Sequence, residues 1–416
     1  MNCKIKIAGL ILLTQVFASF SFAQSQSSIQ SLDSCIKQAL ENNLMLKVGK
    51  VSLDKAKELQ GTAFNIDKTA LSLSQDPTSG GNPDNSIAVS QSFDFPSVYV
   101  ARYKLLKAET NLERNALELT RNELIKEVTD AYYLLLYFRE CMTVLSEQDS
   151  LCSKFLFLAT QRLKTGSANR LEQINAERLY NENKLTLFNA QKNFQNVQMR
   201  MQTLLNTDAW IEPQEKDLPL LKAQFQAEPN ALQSPLVQMY EAKLKVSERN
   251  VRLQNQQFIP SFDFSLRNQF VIKGFNPYHI DRSKFDKGNF TGFEAGLRIP
   301  LFFGEQLSRV KAAKKEVEMA NIAHQNVLLN WQQEFHTLMN KFHTAEMKLD
   351  YYLETGNAQA DEITRISQLA YEKGEINYIE YTQNLKTAIE IRLQYADAVK
   401  EYNQLVITIN YLQGKK

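Results

Sequence analysis

His336, Met339, His343 and Met347 recur at intervals of three and four residues, which would set two imidazoles and two thioethers on one face of a helix. Such a set suits Cu(I) or Ag(I). The same spacing also fits one face of an ordinary amphipathic helix, and that is the reading adopted, so no resident metal is expected. Trp331 and Phe335 nearby read as packing residues. The chain has no nucleophile–base set, Gly-rich phosphate loop or paired-carboxylate motif. Neither an enzymatic activity nor a cofactor is expected.

Two carboxylates draw notice by repetition. The chain reads Gly166-Ser167-Ala168-Asn169-Arg170-Leu171-Glu172 and, about 208 residues later, Gly374-Glu375-Ile376-Asn377-Tyr378-Ile379-Glu380. Gly, Asn, an aliphatic residue and Glu keep their spacing, so the chain reads as a duplication. Each copy predicts a tight turn followed by a helix start, where a glutamate is also favoured by the helix dipole.

The elements around these turns are long. Leu105, Leu112 and Leu119 are spaced by sevens, as are Val310 and Val317, and Ala313, Ala320 and Val327. Period seven sustained over about 63 residues predicts coiled-coil helices of roughly 95 Å before each turn. Return helices of about 38 residues follow from Asn169 and Asn377. Shorter helical patterns run from Ser31 to Thr62 and from Ala231 to Gln257. Between short and long helices the period changes to two: Ile87, Val89, Phe93 and Phe95 alternate with Ser86, Ala88, Ser90, Ser92 and Asp94. Leu71 and Leu73 do the same, as do Phe262, Phe264 and Leu266, and Phe293, Ala295 and Leu297. These segments predict two β-hairpins.

The expected organisation is therefore an export signal at 1–23, a first repeat at 24–206 with a hairpin at 65–96 and a helical hairpin at 97–206, and a proline-spaced connector at 207–230. A second repeat follows at 231–416, with a hairpin at 259–300 and a helical hairpin at 301–413. The signal reading rests on Lys4 and Lys6 before an apolar run that ends in Ser21-Phe22-Ala23, with Gln24 as first mature residue. Cys3 precedes that run, which argues against lipidation. Cys35, Cys141 and Cys152 have no zinc-ligand spacing. With 48 basic and 46 acidic residues well mixed, no nucleic-acid surface is expected. No later apolar run is long enough for a membrane helix, but strands of about ten residues suffice for a barrel wall. Four strands cannot close, and open edges are not tolerated in lipid. Either copies of the chain complete a barrel, or the chain is an exported scaffold with a soluble sheet.

The duplicated turns, the opening Ser31-Leu32-Asp33-Ser34-Cys35 and the strand exit Gln91-Ser92-Phe93-Asp94-Phe95-Pro96 together resemble the TolC-type outer-membrane efflux proteins. The strand exit is also similar to that of the cation-efflux branch. The resemblance implies a mostly α chain with a small β part, assembled as a homotrimer with one shared twelve-stranded barrel and a helical tube. It implies residence in the outer membrane with a periplasmic extension, and partnership with a periplasmic adaptor and an inner-membrane pump. Cargo would be small molecules or metal cations, with protein secretion as the alternative. It also implies docking at the Gly166 and Gly374 turns, and a gate at Glu172, Tyr371, Glu380 and Gln383. Ile376 and Gln383 depart from the family lock, so Arg170 or Lys373 would have to substitute.

Overall fold

The computed structural model describes residues 27–77, 83–223, 225, 230–270 and 290–415. The expected signal at 1–23 and the loops at 78–82 and 271–289 lie outside the described residues. Two compact units form, and each draws on both repeats: Met1–Leu44, Asn122–Ala227 and Phe335–Lys416 in one, Met45–Arg121 and Glu228–Glu334 in the other. No helix among the described residues is long and apolar enough to cross a membrane.

The second unit holds the period-two segments. They form strands β2 (Ala70–Pro77), β3 (Pro83–Phe93), β5 (Ser261–Phe270) and β6 (Phe290–Arg298) in one antiparallel sheet ordered β2-β3-β5-β6. The two hairpins lie side by side because β3 pairs with β5 from Asn85↔Phe270 to Phe93↔Phe262. The register stacks like on like. Leu71 opposes Val89, Val89 opposes Leu266, and Leu266 opposes Phe293. Phe93, Phe262 and Leu297 make a second such row. In strands alternate residues share a face, so these rows form one apolar surface. It is uncovered: Leu71, Leu73, Phe293 and Leu297 are all at least 60% exposed. The opposite face carries Ser90, Ser92, Asp263, Ser265, Glu294 and Arg298, with Arg298 on Asp263 at 2.7 Å. Beside β2 and β6 no further strand pairs among the described residues.

The helices match the heptad pattern with three differences. Residues 31–62 are not one helix: α1 (Leu32–Asn42) and α2 (Leu44–Leu59) break at Asn43, whose ψ of 130° is extended. The buried Asn43 amide donates to the Leu204 carbonyl, which favours the break over a continuous ladder. The first long helix, α3 (Pro96–Lys164), begins on its proline, where a missing N–H costs nothing. It turns into α4 (Arg170–Leu205). The second long helix begins at Gly304 rather than at 301, residues 301–303 lying outside any helix after Pro300. It runs as α6 (Gly304–Tyr351) through one π turn (Tyr352–Gly356) into α7 (Asn357–Lys373), then returns as α8 (Tyr378–Leu412). The 231–257 pattern gives α5 (Pro235–Gln256).

A two-stranded parallel ribbon, β1 (Ser27–Gln30) with β4 (Trp210–Pro213), belongs to the first unit and was not expected from the sequence. Its strands are too short for period two to register. Ile211 within it is fully buried, and its backbone exchanges hydrogen bonds with the Gln198 side chain.

Candidate functional site

Both glycine turns have the geometry their spacing predicts. Gly166 and Gly374 adopt φ of 73° and 76°, the left-handed region that a Cβ disfavours. Each closes its helix through backbone bonds, from Ser167 N to Arg162 O and from Glu375 N to Ala370 O, both 2.8 Å. Asn169 and Asn377 then cap the following helices, accepting from Glu172 N and Glu380 N respectively.

The two repeated glutamates have different fates. Glu380 is exposed, and its carboxylate accepts the Asn377 N–H at 3.2 Å to complete a capping box. Glu172 is 5% exposed. It accepts the Tyr371 hydroxyl at 2.7 Å, and Arg162 Nη1 lies 3.4 Å from the same oxygen. The duplication explains the split. Arg162 and Tyr371 correspond to Ala370 and Leu163 in the other repeat, so Glu380 has neither a cation nor a hydroxyl to turn inward for. Of the residues expected at the gate, Glu172 and Tyr371 are thus bonded to each other at the helix interface within the chain, while Glu380 is exposed.

Below this link the four helices of the first unit share a core of Cys152, Phe155, Ala159, Ala176, Leu179, Tyr371, Tyr381 and Leu385. Tyr371 and Tyr381 stack at 4.5 Å, and Phe155 meets both rings edge-on. Arg162 lies 5.4 Å from the Tyr371 ring centroid, so one guanidinium serves both carboxylate and ring. Burial, reinforced by the Glu172 carboxylate, pushes the Tyr371 hydroxyl up to about 12. Burial does the same to Tyr381. Tyr371 is thus held as a neutral donor at physiological pH.

Arg162 was missed in the sequence. Arg170, one expected substitute, hydrogen-bonds Gln173 instead, and Lys373 is exposed at the end of α7. Arg162 sits one helical turn before the glycine, the offset from which a side chain can reach across the turn. Gln383 is exposed on α8, two residues past Tyr381, and its carbonyl accepts the Thr387 hydroxyl at 3.0 Å. His336 and His343 are exposed on α6, Met339 is half-buried, and His343 faces Glu346 at 3.5 Å. No cluster of metal-ligating residues forms among the described residues. Cys35, Cys141 and Cys152 are free and buried, their thiols pushed up to about 11, largely by burial.

Residues 230–415 match the family described as outer membrane efflux protein. None of the curated proteins matches the sequence. Solved structures extend the likeness in fold to both halves. A CusC structure superposes with a TM-score of 0.77 at 15% identity, over 93% of this chain and 92% of that one. A membrane protein from Pseudomonas aeruginosa gives 0.79 at 15% identity, over 92% and 90%. The Campylobacter jejuni CmeC outer membrane channel gives 0.74 at 17%, over 92% and 85%. At these identities the structures establish a shared fold. The family match on the second half and the fold match over the whole chain agree with one another.

Proposed function

We infer that the chain is the outer-membrane channel of a tripartite efflux system. One observation carries this reading. The four-stranded sheet has an uncovered apolar face, a polar face of small and charged residues, and open edges at β2 and β6. In water such a face would be a liability, and in lipid such edges would be. Completion by copies of the same chain resolves both, since three copies supply twelve strands, a size at which a barrel holds a water-filled lumen. The polar face then lines the lumen, and passage needs no catalytic group.

The assembly is a homotrimer working with a periplasmic adaptor and an inner-membrane pump. The Gly166 and Gly374 turns are the surface offered to the adaptor. Within each chain the Arg162–Glu172–Tyr371 link ties the two helical hairpins together beside those turns, so loosening it opens the tip. Glu380 and Gln383, exposed on α8, are the residues free to face the axis. Three copies of Glu380 near one axis would repel one another and attract cations.

The test is the oligomeric state of the detergent-extracted protein, joined to single-channel recording. Trimers that insert into planar bilayers and conduct are expected. A monodisperse monomer that keeps its full strand content in detergent would overturn the reading.

A further inference from the structure

Beside the sheet, α3 and α5 of the second unit run next to each other, linked from Asn115 Nδ2 to the Gln238 carbonyl. A cavity of about 450 Å³ opens between them, lined by Ser97, Val100, Lys104, Arg249, Arg252 and Gln256 among others. Three cations converge on it, and no carboxylate lines it. Lys104, Arg249 and Arg252 make no ion pair among the described residues. Two buried polar atoms in the same wall, Ser97 Oγ and Gln256 Oε1, have no hydrogen-bond partner. Buried polar groups are rarely left so, and a group bound in the cavity is one way to satisfy them. The site thus presents three cations, one free hydroxyl and one free amide oxygen.

Its location identifies what could reach it. Arg102, on the other side of α3 from Val100 and Lys104, pairs with Asp94 at 3.0 Å, and both line a different cavity with Arg298 of the sheet's polar face. The cationic cavity therefore lies on the side of the uncovered apolar face. Val100 is four residues past Pro96, about 6 Å of rise, and Lys104 about 12 Å. The headgroup layer of one leaflet is roughly 5–8 Å deep. On that scale Val100 falls at headgroup depth, and Lys104, about 6 Å further along, reaches it with its side chain. Tyr103, 40% exposed beside Lys104, is an aromatic of the kind enriched at that boundary.

We propose that this cavity binds the headgroup of an anionic phospholipid, phosphatidylglycerol, in the leaflet nearest the helices. The phosphate takes Lys104, Arg249, Arg252 and the Ser97 hydroxyl as donors. A headgroup glycerol hydroxyl donates to Gln256 Oε1, a contact that a choline headgroup cannot make. A second cavity of about 750 Å³ continues down the same pair of helices past Lys107, Arg114 and Lys245. Two carboxylates line it as well, Glu241, paired with Lys245 at 2.6 Å, and Glu248, against Lys104, Lys107, Arg114, Lys245 and Arg249, so the approach to the headgroup site keeps a net positive charge. The proposal rests on the sheet being a membrane wall.

The test uses the full-length assembly, wild type and K104Q/R249Q/R252Q, reconstituted in nanodiscs of phosphatidylcholine with increasing phosphatidylglycerol. Retained lipid is counted by native mass spectrometry. Each basic residue near an anionic surface is worth about a fivefold change in affinity, so the triple variant should lose about a hundredfold. S97A should lose severalfold without a change in assembly. Wild type that retains both lipids equally, or a triple variant that keeps its phosphatidylglycerol, overturns the proposal. Displacement of the lipid by millimolar inorganic phosphate would assign the site to a free anion and equally overturn it. Reconstitution itself separates the two failures: if alkaline carbonate strips the protein from vesicles, the membrane reading falls, whereas firm insertion without lipid preference removes only this site.

Discussion

Replacing Tyr371 with Phe removes one oxygen and leaves the aromatic stack with Tyr381 and Phe155 in place. What remains is a Glu172 carboxylate, 5% exposed, with Arg162 at 3.4 Å as its side-chain partner. A hydrogen bond to a charged group contributes about 1.5–3 kcal/mol, and Arg162 recovers part of it, so about 2 kcal/mol is lost. At 1.4 kcal/mol per tenfold, the local opening equilibrium of the tip should rise about thirtyfold. Hydrogen exchange of the amides from Ser167 to Glu172 reads that equilibrium directly. Channel conductance should rise far less, because the stack and the second turn still hold. The coupling is checked with Glu172→Leu, which removes the same link from its other end. In that background Tyr371→Phe should cost less than a quarter of its effect in the wild type. If exchange in the single variant stays within a factor of two of wild type, or if the two effects simply add, the hydroxyl–carboxylate bond is not what closes the tip.

Other consequences are open to measurement. Gly374→Val places a β-branched residue at φ 76° with open space around it, so the penalty is backbone strain, upwards of about 1–2 kcal/mol; efflux should fall while trimer yield holds, and unimpaired efflux would count against adaptor docking there. Glu380→Gln keeps a capping-box acceptor but removes a charge, so thermal stability should drop by less than about 1 kcal/mol while cation selectivity in bilayers weakens; unchanged selectivity would take Glu380 off the pore. Tyr371 and Tyr381 both titrate near 12 instead of near 10, so their contribution to tip stability is complete below pH 10 and is lost as pH rises through 12. Amide exchange at the tip should accelerate over that window, and Tyr371→Phe should flatten the response.

The strands and helices could be read because periodicity is a property of neighbours in sequence: Leu71, Leu73, Ile87 and Val89 announce a strand face whatever lies opposite. The turns could be read because Gly166 and Gly374 each need a backbone region that few residues tolerate. Pairing between distant segments carries no such local mark. The join of β3 to β5, the ribbon of Ser27–Gln30 on Trp210–Pro213 and the reach of Arg162 to Glu172 all depend on three-dimensional proximity. The differing fates of Glu172 and Glu380 show the same limit within one motif. Identical spacing gave an asparagine cap in both copies, and the partner residues outside the Gly-to-Glu motif decided which carboxylate was buried.

The π turn at Tyr352–Gly356 has a consequence for register. Before it, Phe335, Phe342 and Leu349 occupy one buried heptad position and Ala345 and Tyr352 the other. After it, Ala360 and Ser367 fall one residue late on that count, and so does Tyr371, yet all three are buried. A π turn takes up one residue more than an α turn, which cancels that one-residue slip. The extra residue acts as a clutch between two heptad tracks, and Gly356 is where the gears mesh, since a Cβ there would come within 2.8 Å of the Tyr352 ring. Regularising the turn to plain α-helix with all its residues kept would swing Tyr371 by about 100°, one residue's rotation, away from Glu172, whereas deleting one residue together with the turn would leave Tyr371 on its face. The Tyr371–Glu172 bond is thereby indexed to a single residue inserted some five turns away.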